Sequence, residues 1–282
     1  MQGAKMIQWF DDHYYRVVTG TADDGTEIVD YLPSATTKLQ AYPKPFLARW
    51  RGDVGNREAD KRVRESGDRG TRCHYAASLL CNGGTILYNP FNRPTYTPEA
   101  IKEIITSQDR EVFIVQDQEE MLHIWKFQRW MQVVRPRIIG VDLVVYSLKW
   151  RDAGTIDFVF DIDEGDYAVA GKPIHIPGGR YVVDLKTGSA IWEEYNLQVA
   201  DYRECYNEGL EAEAKKIDGA IIIHTNATTK GGIKGLTTKV INGVQLELDF
   251  EDFRHVSAIW ERENGHKKPD IFEFPSLLKL EE

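Results

Sequence analysis

Two short apolar segments of this chain carry carboxylates at positions where a strand would be largely buried. One segment, YVVDLK, ends at Lys186 and contains Asp184, and the other, IDFVF, contains Asp157. Each apolar run predicts a strand, and because side chains alternate faces along a strand, Asp184 and Lys186 should share one face. A charge in such a setting is costly unless it is paired or bound to a metal ion. The two segments therefore predict neighbouring strands whose carboxylates converge beside the Lys186 ammonium.

This combination of charges has a chemical interpretation. Two carboxylates side by side repel each other, and oxygen ligands of this kind are the ones that hard divalent cations prefer. A bound cation polarises a phosphoryl oxygen and lowers the pKa of a bound water, and a nearby lysine stabilises the charge that develops during attack. The alternative is a solvated strand end with a surface ion pair, which contributes at most about 1 kcal/mol. Asp157, Asp184 and Lys186 are the predicted centre of a metal-dependent site.

A helix predicted from about 192 to 210 adds two polar residues to this centre. Gln198 and Tyr202 are four residues apart and therefore lie on one face of that helix. A tyrosine that faces a sheet is also typical of a hydrophobic core.

Several short motifs, in this order along the chain, resemble the RecB-type branch of the PD-(D/E)XK nuclease superfamily, and in particular its phage-type and mitochondrial-type exonucleases. They are Leu32-Pro33-Ser34-Ala35-Thr36-Thr37, Arg69-Gly70-Thr71-Arg72-Cys73-His74, Gly154-Thr155-Ile156-Asp157, Asp184-Leu185-Lys186 and Gln198-x-x-x-Tyr202. In that branch the Arg-Gly-Thr-x-x-His motif opens a helix. The resemblance covers roughly residues 30 to 225.

The resemblance implies a fold and a set of residue roles. The fold would be α/β, a restriction-endonuclease-like mixed central sheet flanked by helices, with an N-terminal helical lobe. The ligands of Mg²⁺ or Mn²⁺ would be His74, Asp157, Asp184 and the carbonyl of Leu185, with Lys186 as the catalytic lysine and Gln198 and Tyr202 orienting the site or touching the nucleic-acid backbone. One position departs from the family, since Asp142 stands where a glutamate is common; it is a candidate outer ligand.

The implied activity is hydrolysis of DNA phosphodiester bonds, by an exonuclease of phage-type recombination or DNA repair that acts on single-stranded DNA or duplex ends. Recombination or replication proteins would be its partners. Three alternatives remain open: a sequence- or structure-specific endonuclease of the same fold, a module that binds nucleic acid without cutting it, and an α/β protein unrelated to nucleic acid.

The distribution of charge bears on a nucleic-acid partner. The chain has a net charge of −9, yet residues 35 to 72 contain ten basic and five acidic residues, with Tyr42, Phe46 and Trp50 interleaved. Single-stranded nucleic acid is commonly held by a basic groove with aromatic stacking surfaces. A solvated helix face above an aromatic core stripe would give the same pattern. The candidate nucleic-acid-binding residues are Lys38, Arg49, Arg51, Arg69 and Arg72.

The remaining pattern suggests one nuclease domain spanning residues 1–282. Its parts would be an N-terminal hairpin (1–33), a mainly helical lobe carrying His74 (34–135), a catalytic α/β core (136–262) and a C-terminal tail (263–282). Strands are predicted at about 13–18, 26–31, 139–149, 154–163, 179–186, 218–225 and 236–248. The three cysteines, which lack any Cys-x-x-Cys pair, indicate neither a disulfide framework nor an iron–sulfur cluster. Without an apolar run long enough to cross a membrane, a cytoplasmic, phage- or prophage-encoded protein is expected.

Overall fold

The computed structural model describes residues 4–9, 12–210, 214–226 and 235–265, together with residues 267 and 269. The described strands, β1 to β12 in chain order, are Ala4–Trp9, Asp12–Thr21, Glu27–Pro33, Thr85–Tyr88, Val112–Val115, Arg137–Ser147, Asp152–Ile162, Gly165–Val169, Lys172–Ile176, Gly179–Lys186, Gly219–His224 and Thr237–Ile241. The described helices, α1 to α7, are Ala35–Lys38, Pro45–Val54, Asn56–Cys81, Pro98–Ser107, Gln118–Val134, Glu194–Glu208 and Gly243–Asn264.

A five-stranded sheet in the order β12-β11-β10-β7-β6 forms the centre of the molecule. Strands β10 and β11 are parallel, whereas β12, β7 and β6 each run antiparallel to their neighbours. The parallel pair requires a crossover connection, and α6 supplies it. The predicted α/β class with a mixed sheet flanked by helices is confirmed.

Helices cover both faces of this sheet. On one face, Leu197 and Tyr202 of α6 and Phe250 and Phe253 of α7 pack against the sheet in one buried cluster. On the other face, Phe127 and Trp130 of α5 and Ala77 of α3 belong to a second cluster. Because helices exclude water from both faces of the sheet, a charged group on a central strand has to lie at a strand end or pair with another polar group.

The alternation of faces is interrupted where β6 and β7 approach the site. Ile156 belongs to the α6 and α7 layer and Phe158 to the α3 and α5 layer, although residues two apart in a regular strand share a face. Register pairs Leu143 with Ile156 and Val141 with Phe158, so Asp142 and Asp157 lie between these pairs. Asp142 has φ 51°, in the left-handed region that is uncommon for residues other than glycine. The distortion falls at two of the predicted site residues.

The N-terminal segment forms a three-stranded antiparallel sheet, β1-β2-β3. The predicted hairpin corresponds to β2 and β3, and β1 is an additional edge strand. Tyr15 of β2 is buried and its hydroxyl lies 2.8 Å from the Thr155 hydroxyl of β7. Ser34 follows β3 and caps α1 by accepting a hydrogen bond from the Thr37 N–H at 3.0 Å. The Pro-Ser-x-Thr-Thr motif thus joins the small sheet to the first helix.

Several sequence-based boundaries were wrong. The helix that carries His74 begins at Asn56, so Gly70 and Thr71 lie within α3 rather than at its start. The final strand, predicted over 236–248, is shorter, because β12 ends at Ile241. The chain turns into α7 at Gly243, with Asn242 as the cap of that helix.

Two further pairs of strands were not predicted. The helical lobe includes a parallel pair, β4 and β5, and strands β8 and β9 form a hairpin between β7 and β10. The glycine- and lysine-rich stretch at 227–234 and nearly all of the predicted tail lie outside the described residues. Within the described ranges, no helix is long and apolar enough to cross a membrane.

Candidate active site

The candidate site lies at the end of β10, where that strand meets α6. Lys186 is the last residue of β10, and its Nζ lies 3.0 Å from both carboxylate oxygens of Asp184. The same ammonium donates a hydrogen bond to Oε1 of Gln198 on α6 at 2.9 Å. Asp184 is 4% exposed and Lys186 is 17% exposed, so this ion pair is largely shielded from water. The prediction that Asp184 and Lys186 share a face is confirmed.

Asp157 of β7 contacts both strand β10 and helix α3 at the candidate site. Its Oδ2 accepts a hydrogen bond from the Leu185 backbone N–H at 2.8 Å and lies 3.2 Å from Nδ1 of His74. Because Leu185 directly follows Asp184, the two carboxylates come from adjacent positions on β7 and β10. Leu185 itself is buried in the core and contributes to the site through its main chain.

His74 reaches this position because α3 passes close to the end of β10. A Cβ atom added to Gly70 would lie 3.4 Å from the Thr187 hydroxyl, an ordinary van der Waals distance, which shows that α3 packs against the residue after Lys186. The helix then carries His74, one turn later, to Asp157. The Arg-Gly-Thr-x-x-His motif thus lies in a helix interior that packs against the end of β10, and not at a helix start.

Asp142 lies at the edge of the same group. Its Oδ1 accepts a hydrogen bond from the Ser78 hydroxyl of α3 at 3.1 Å, while the residue as a whole remains exposed. Partial desolvation of the carboxylate raises the pKa of Asp142, and the charge of Asp157 raises it further. The Asp142 carboxylate therefore interacts with the charge of Asp157 and is hydrogen-bonded to Ser78 of α3.

The charges of the central residues are interdependent. Burial lowers the pKa of the His74 imidazole, but the Asp157 carboxylate outweighs this and the pKa is raised. Burial acts to raise the pKa of Asp157, yet attraction to His74 and Lys186 holds it below its usual value. Burial raises the pKa of Asp184, an effect that Lys186 opposes and Asp157 reinforces. The two carboxylates thus bind protons with different affinity, as expected for acids that share a site.

The donor set fits a hard divalent cation by its chemistry. Two carboxylates and the main-chain carbonyl of Leu185 are oxygen ligands of the kind that Mg²⁺ and Mn²⁺ prefer, and a neutral imidazole is a common ligand of divalent transition-metal ions. Oδ2 of Asp184 is buried and accepts no well-formed hydrogen bond, although Lys186 Nζ is near it. Among the described residues, no three His, Cys, Asp or Glu side chains are spaced to hold a metal ion as they stand. His74 and Lys186 instead neutralise the two carboxylates.

Gln198 and Tyr202 position the lysine from the helix side. The Gln198 side-chain amide accepts from Lys186 and donates to the Tyr202 hydroxyl at 2.9 Å. Tyr202 is buried, and its ring packs directly on Gly154 of β7, where an added Cβ would lie 2.2 Å from Cε1 of the ring. Of the two roles predicted for this pair, the geometry favours orienting the site, because the tyrosine is too buried to reach a nucleic-acid backbone.

We expect Gly154→Ala to lower the free energy of unfolding by about 1–3 kcal/mol, since the added methyl overlaps the Tyr202 ring and forces it away from Gln198. Urea denaturation measures this loss. Gly52→Ala is the matched control, because a Cβ at Gly52, within α2, meets nothing within 4 Å. Equal stability of the two variants would contradict the close packing of Tyr202 on β7.

The predicted nucleic-acid-binding residues divide into different environments. For Lys38 the prediction was wrong, because its side chain is fully buried and its ammonium pairs with Asp152 and with Glu261. Arg51 pairs with Asp60 at 2.7 Å, and Arg72 pairs with Glu120 while half exposed. Arg69 lies 3.4 Å from Glu119. Arg49 is exposed and forms no ion pair within the described part of the chain.

Sequence reasoning missed two contributors to the site. The Lys186 ammonium lies 4.4 Å from the ring centroid of Tyr195, a cation–π contact that the position of Tyr195, three residues before Gln198 on a helix, could have indicated. Ser78, which donates a hydrogen bond to Asp142, lies one helical turn beyond His74, and this spacing could likewise have indicated that it faces the site.

Comparison of the chain with protein-family models and with curated protein sequences finds no match. The functional argument therefore depends on the residues and their geometry.

Proposed function

We propose that this protein is a Mg²⁺- or Mn²⁺-dependent deoxyribonuclease that hydrolyses phosphodiester bonds. The observation that carries the proposal is the meeting of Asp184 and Lys186, at the end of β10, with Asp157, in the middle of the adjacent strand β7, and the contact of His74 with Asp157. The motifs that led to this expectation are far apart in sequence, from residue 69 to residue 202. The fold supports the proposal because it brings residues of these motifs into contact.

Each residue would have a distinct part in the reaction. Asp157, Asp184, His74 and the Leu185 carbonyl would hold the cation, which when bound supplies Lewis acidity and lowers the pKa of a bound water. The Lys186 ammonium would stabilise negative charge developing on the phosphoryl group. Gln198, braced by Tyr202, fixes the position of that ammonium, since its amide oxygen lies 2.9 Å from Nζ. Preorganisation of this kind is effective where water is largely excluded.

We propose that the fold is restriction-endonuclease-like. The mixed sheet, in which the two carboxylates lie on neighbouring central strands, supports this proposal. Within the nuclease class, we propose an exonuclease of phage-type recombination or DNA repair, with DNA ends as substrate. An endonuclease would use the same chemistry. Cleavage of a covalently closed circle distinguishes the two, since an exonuclease requires an end.

Cleavage of end-labelled single- and double-stranded DNA, with and without Mg²⁺ or Mn²⁺, tests the proposal. We expect turnover only with the cation, and we expect Lys186→Ala to lower kcat by about 10²-fold, the usual loss when one stabilising donor is removed. Lys102→Ala is the control, because Lys102 is exposed on α4. Cutting that persists in EDTA, or full activity of Lys186→Ala, would refute the assignment.

A second candidate is a module that binds nucleic acid without cutting it. It is favoured by the shorter Asp142 in place of a glutamate, and by the hydrogen bond that ties this carboxylate to Ser78 on α3. Such a protein would bind labelled DNA yet leave it intact in both Mg²⁺ and Mn²⁺.

A further inference from the structure

Two exposed aromatic rings from different parts of the chain lie together beside the candidate site. Phe46 of α2 is 60% exposed and Trp192, in the loop between β10 and α6, is 39% exposed. Their ring centroids are 5.5 Å apart, with an angle of 37° between the ring planes. A contiguous exposed apolar patch marks an interaction site more often than scattered single residues do.

Short contacts connect this aromatic pair to Lys186. The Lys186 ammonium lies 4.4 Å from the Tyr195 ring centroid, and the Tyr195 N–H donates to the Trp192 carbonyl at 3.1 Å. The Lys44 ammonium at the start of α2 lies 3.0 Å from the Glu194 carboxylate at the start of α6, which holds the two segments together. The pair is therefore at the border of the site, on the side of α6.

The charges around the pair favour a polyanionic partner. Arg49 lies three residues after Phe46 on α2 and hence on a neighbouring part of the same helix surface. It is exposed and forms no ion pair with a described residue. Of the acidic residues next to Trp192, Glu194 is paired with Lys44 at 3.0 Å, and the exposed Glu193 lies 3.9 Å from Lys239. An exposed ring beside a free guanidinium is the usual combination for stacking a base and contacting its phosphate.

We propose that Phe46 and Trp192 form a stacking surface for unpaired bases of single-stranded DNA, with Arg49 contacting a phosphate, and that this surface guides the strand toward Lys186. The inference rests on the proposed nuclease function and makes it more specific, because it assigns single-stranded DNA or a frayed end as the bound form. A blunt duplex, whose bases are already stacked, would gain nothing from these rings.

Binding of a fluorescently labelled oligothymidylate in EDTA, followed by anisotropy, tests the surface without cleavage. We expect Phe46→Ala and Trp192→Ala each to weaken binding about tenfold, within the range for loss of one base–aromatic stack. Phe46→Tyr and Trp192→Phe, which keep a ring, should restore binding. The control is Phe91→Ala, because Phe91 is 76% exposed in the loop between β4 and α4. Affinity for a blunt duplex of equal length should stay unchanged in all variants.

The outcomes separate this inference from the nuclease proposal. Unchanged oligothymidylate binding in both alanine variants would overturn the stacking surface and favour a protein partner for the two rings, whether or not the wild type cuts DNA. Equal losses with single strand and duplex would overturn the assignment to unpaired bases. Ring-dependent binding by a protein that fails to cut any DNA would support the surface and refute the nuclease.

Discussion

Replacing Asp184 or Asp157 by Asn is expected to lower the rate of DNA cleavage by about 10³-fold or more, at the upper end of the loss known for removing one preorganised electrostatic group. Each substitution keeps the side-chain shape and removes a negative charge. Without that charge the site loses an anionic ligand for the cation, and the Lys186 ammonium or the His74 imidazole loses its partner. Steady-state cleavage of labelled DNA in Mg²⁺ measures the effect.

The loss of activity should not reflect unfolding. Asp184 contributes a buried carboxylate whose pKa burial has raised, so the neutral amide should be tolerated by the core. Asp184→Asn should therefore unfold near the wild-type temperature, whereas Asp157→Asn, which removes a carboxylate whose pKa His74 and Lys186 lower, should unfold cooperatively at a lower temperature. Asp166→Asn, at an exposed carboxylate of the β8 and β9 hairpin, is the matched control for loss of one charge. Unchanged turnover in Asp157→Asn or in Asp184→Asn would rule out that residue as a ligand.

The largest expected effect on stability is at Lys38. Lys38→Met should lower the free energy of unfolding by about 3–5 kcal/mol, because it removes one partner from a buried ion pair and leaves the other unpaired. The Lys38 ammonium is fully buried against the Asp152 carboxylate, and it donates to Glu261 of α7 at 2.8 Å. It thereby ties α1 to the start of β7 and to the last helix. Lys61→Met, at a lysine that is 65% exposed, should change stability little.

The pH dependence of this loss follows from Asp152. Burial, opposed by Lys38, raises the pKa of Asp152 to about 6, above its ordinary 3.8. Because the pKa of Asp152 is higher in the folded protein than in the unfolded chain, binding of a proton to Asp152 stabilises the fold. This stabilisation is complete below about pH 4 and is lost as the pH rises through about 6. Removing Lys38 raises that pKa further, so the cost of Lys38→Met should grow as the pH rises through about 6 and above. Urea denaturation at several pH values measures it, and a cost below about 1 kcal/mol at neutral pH would place Lys38 among weak surface pairs.

The local pattern was sufficient for the elements that build the site. The YVVDLK segment forms β10 with the predicted bounds, and its alternation places Asp184 and Lys186 together. The four-residue spacing of Gln198 and Tyr202 gave their hydrogen bond on α6. These features depend only on the periodicity of one strand or one helix, which a single sequence records directly.

Features that depend on long-range packing were beyond the local pattern. The break in alternation at Asp157 coincides with the left-handed backbone of Asp142 on the neighbouring strand, and the residues around Asp157 in sequence do not indicate it. Lys38 was predicted to bind nucleic acid because its carboxylate partner, Asp152, is more than a hundred residues away in sequence. For the same reason the basic excess of residues 35–72 overstated the available positive charge, since Arg69 and Arg72 lie against Glu119 and Glu120 of α5, outside that range.

Binding of Mn²⁺, measured by electron paramagnetic resonance of the free ion during titration, tests the central claim most directly. If Asp157 and Asp184 share one cation, the wild type should bind Mn²⁺ saturably, each Asn variant should lose the same equivalent, and the double variant should lose no more than either single one. A wild type that binds no Mn²⁺, or single variants that retain full binding, would contradict a shared metal site at the end of β10.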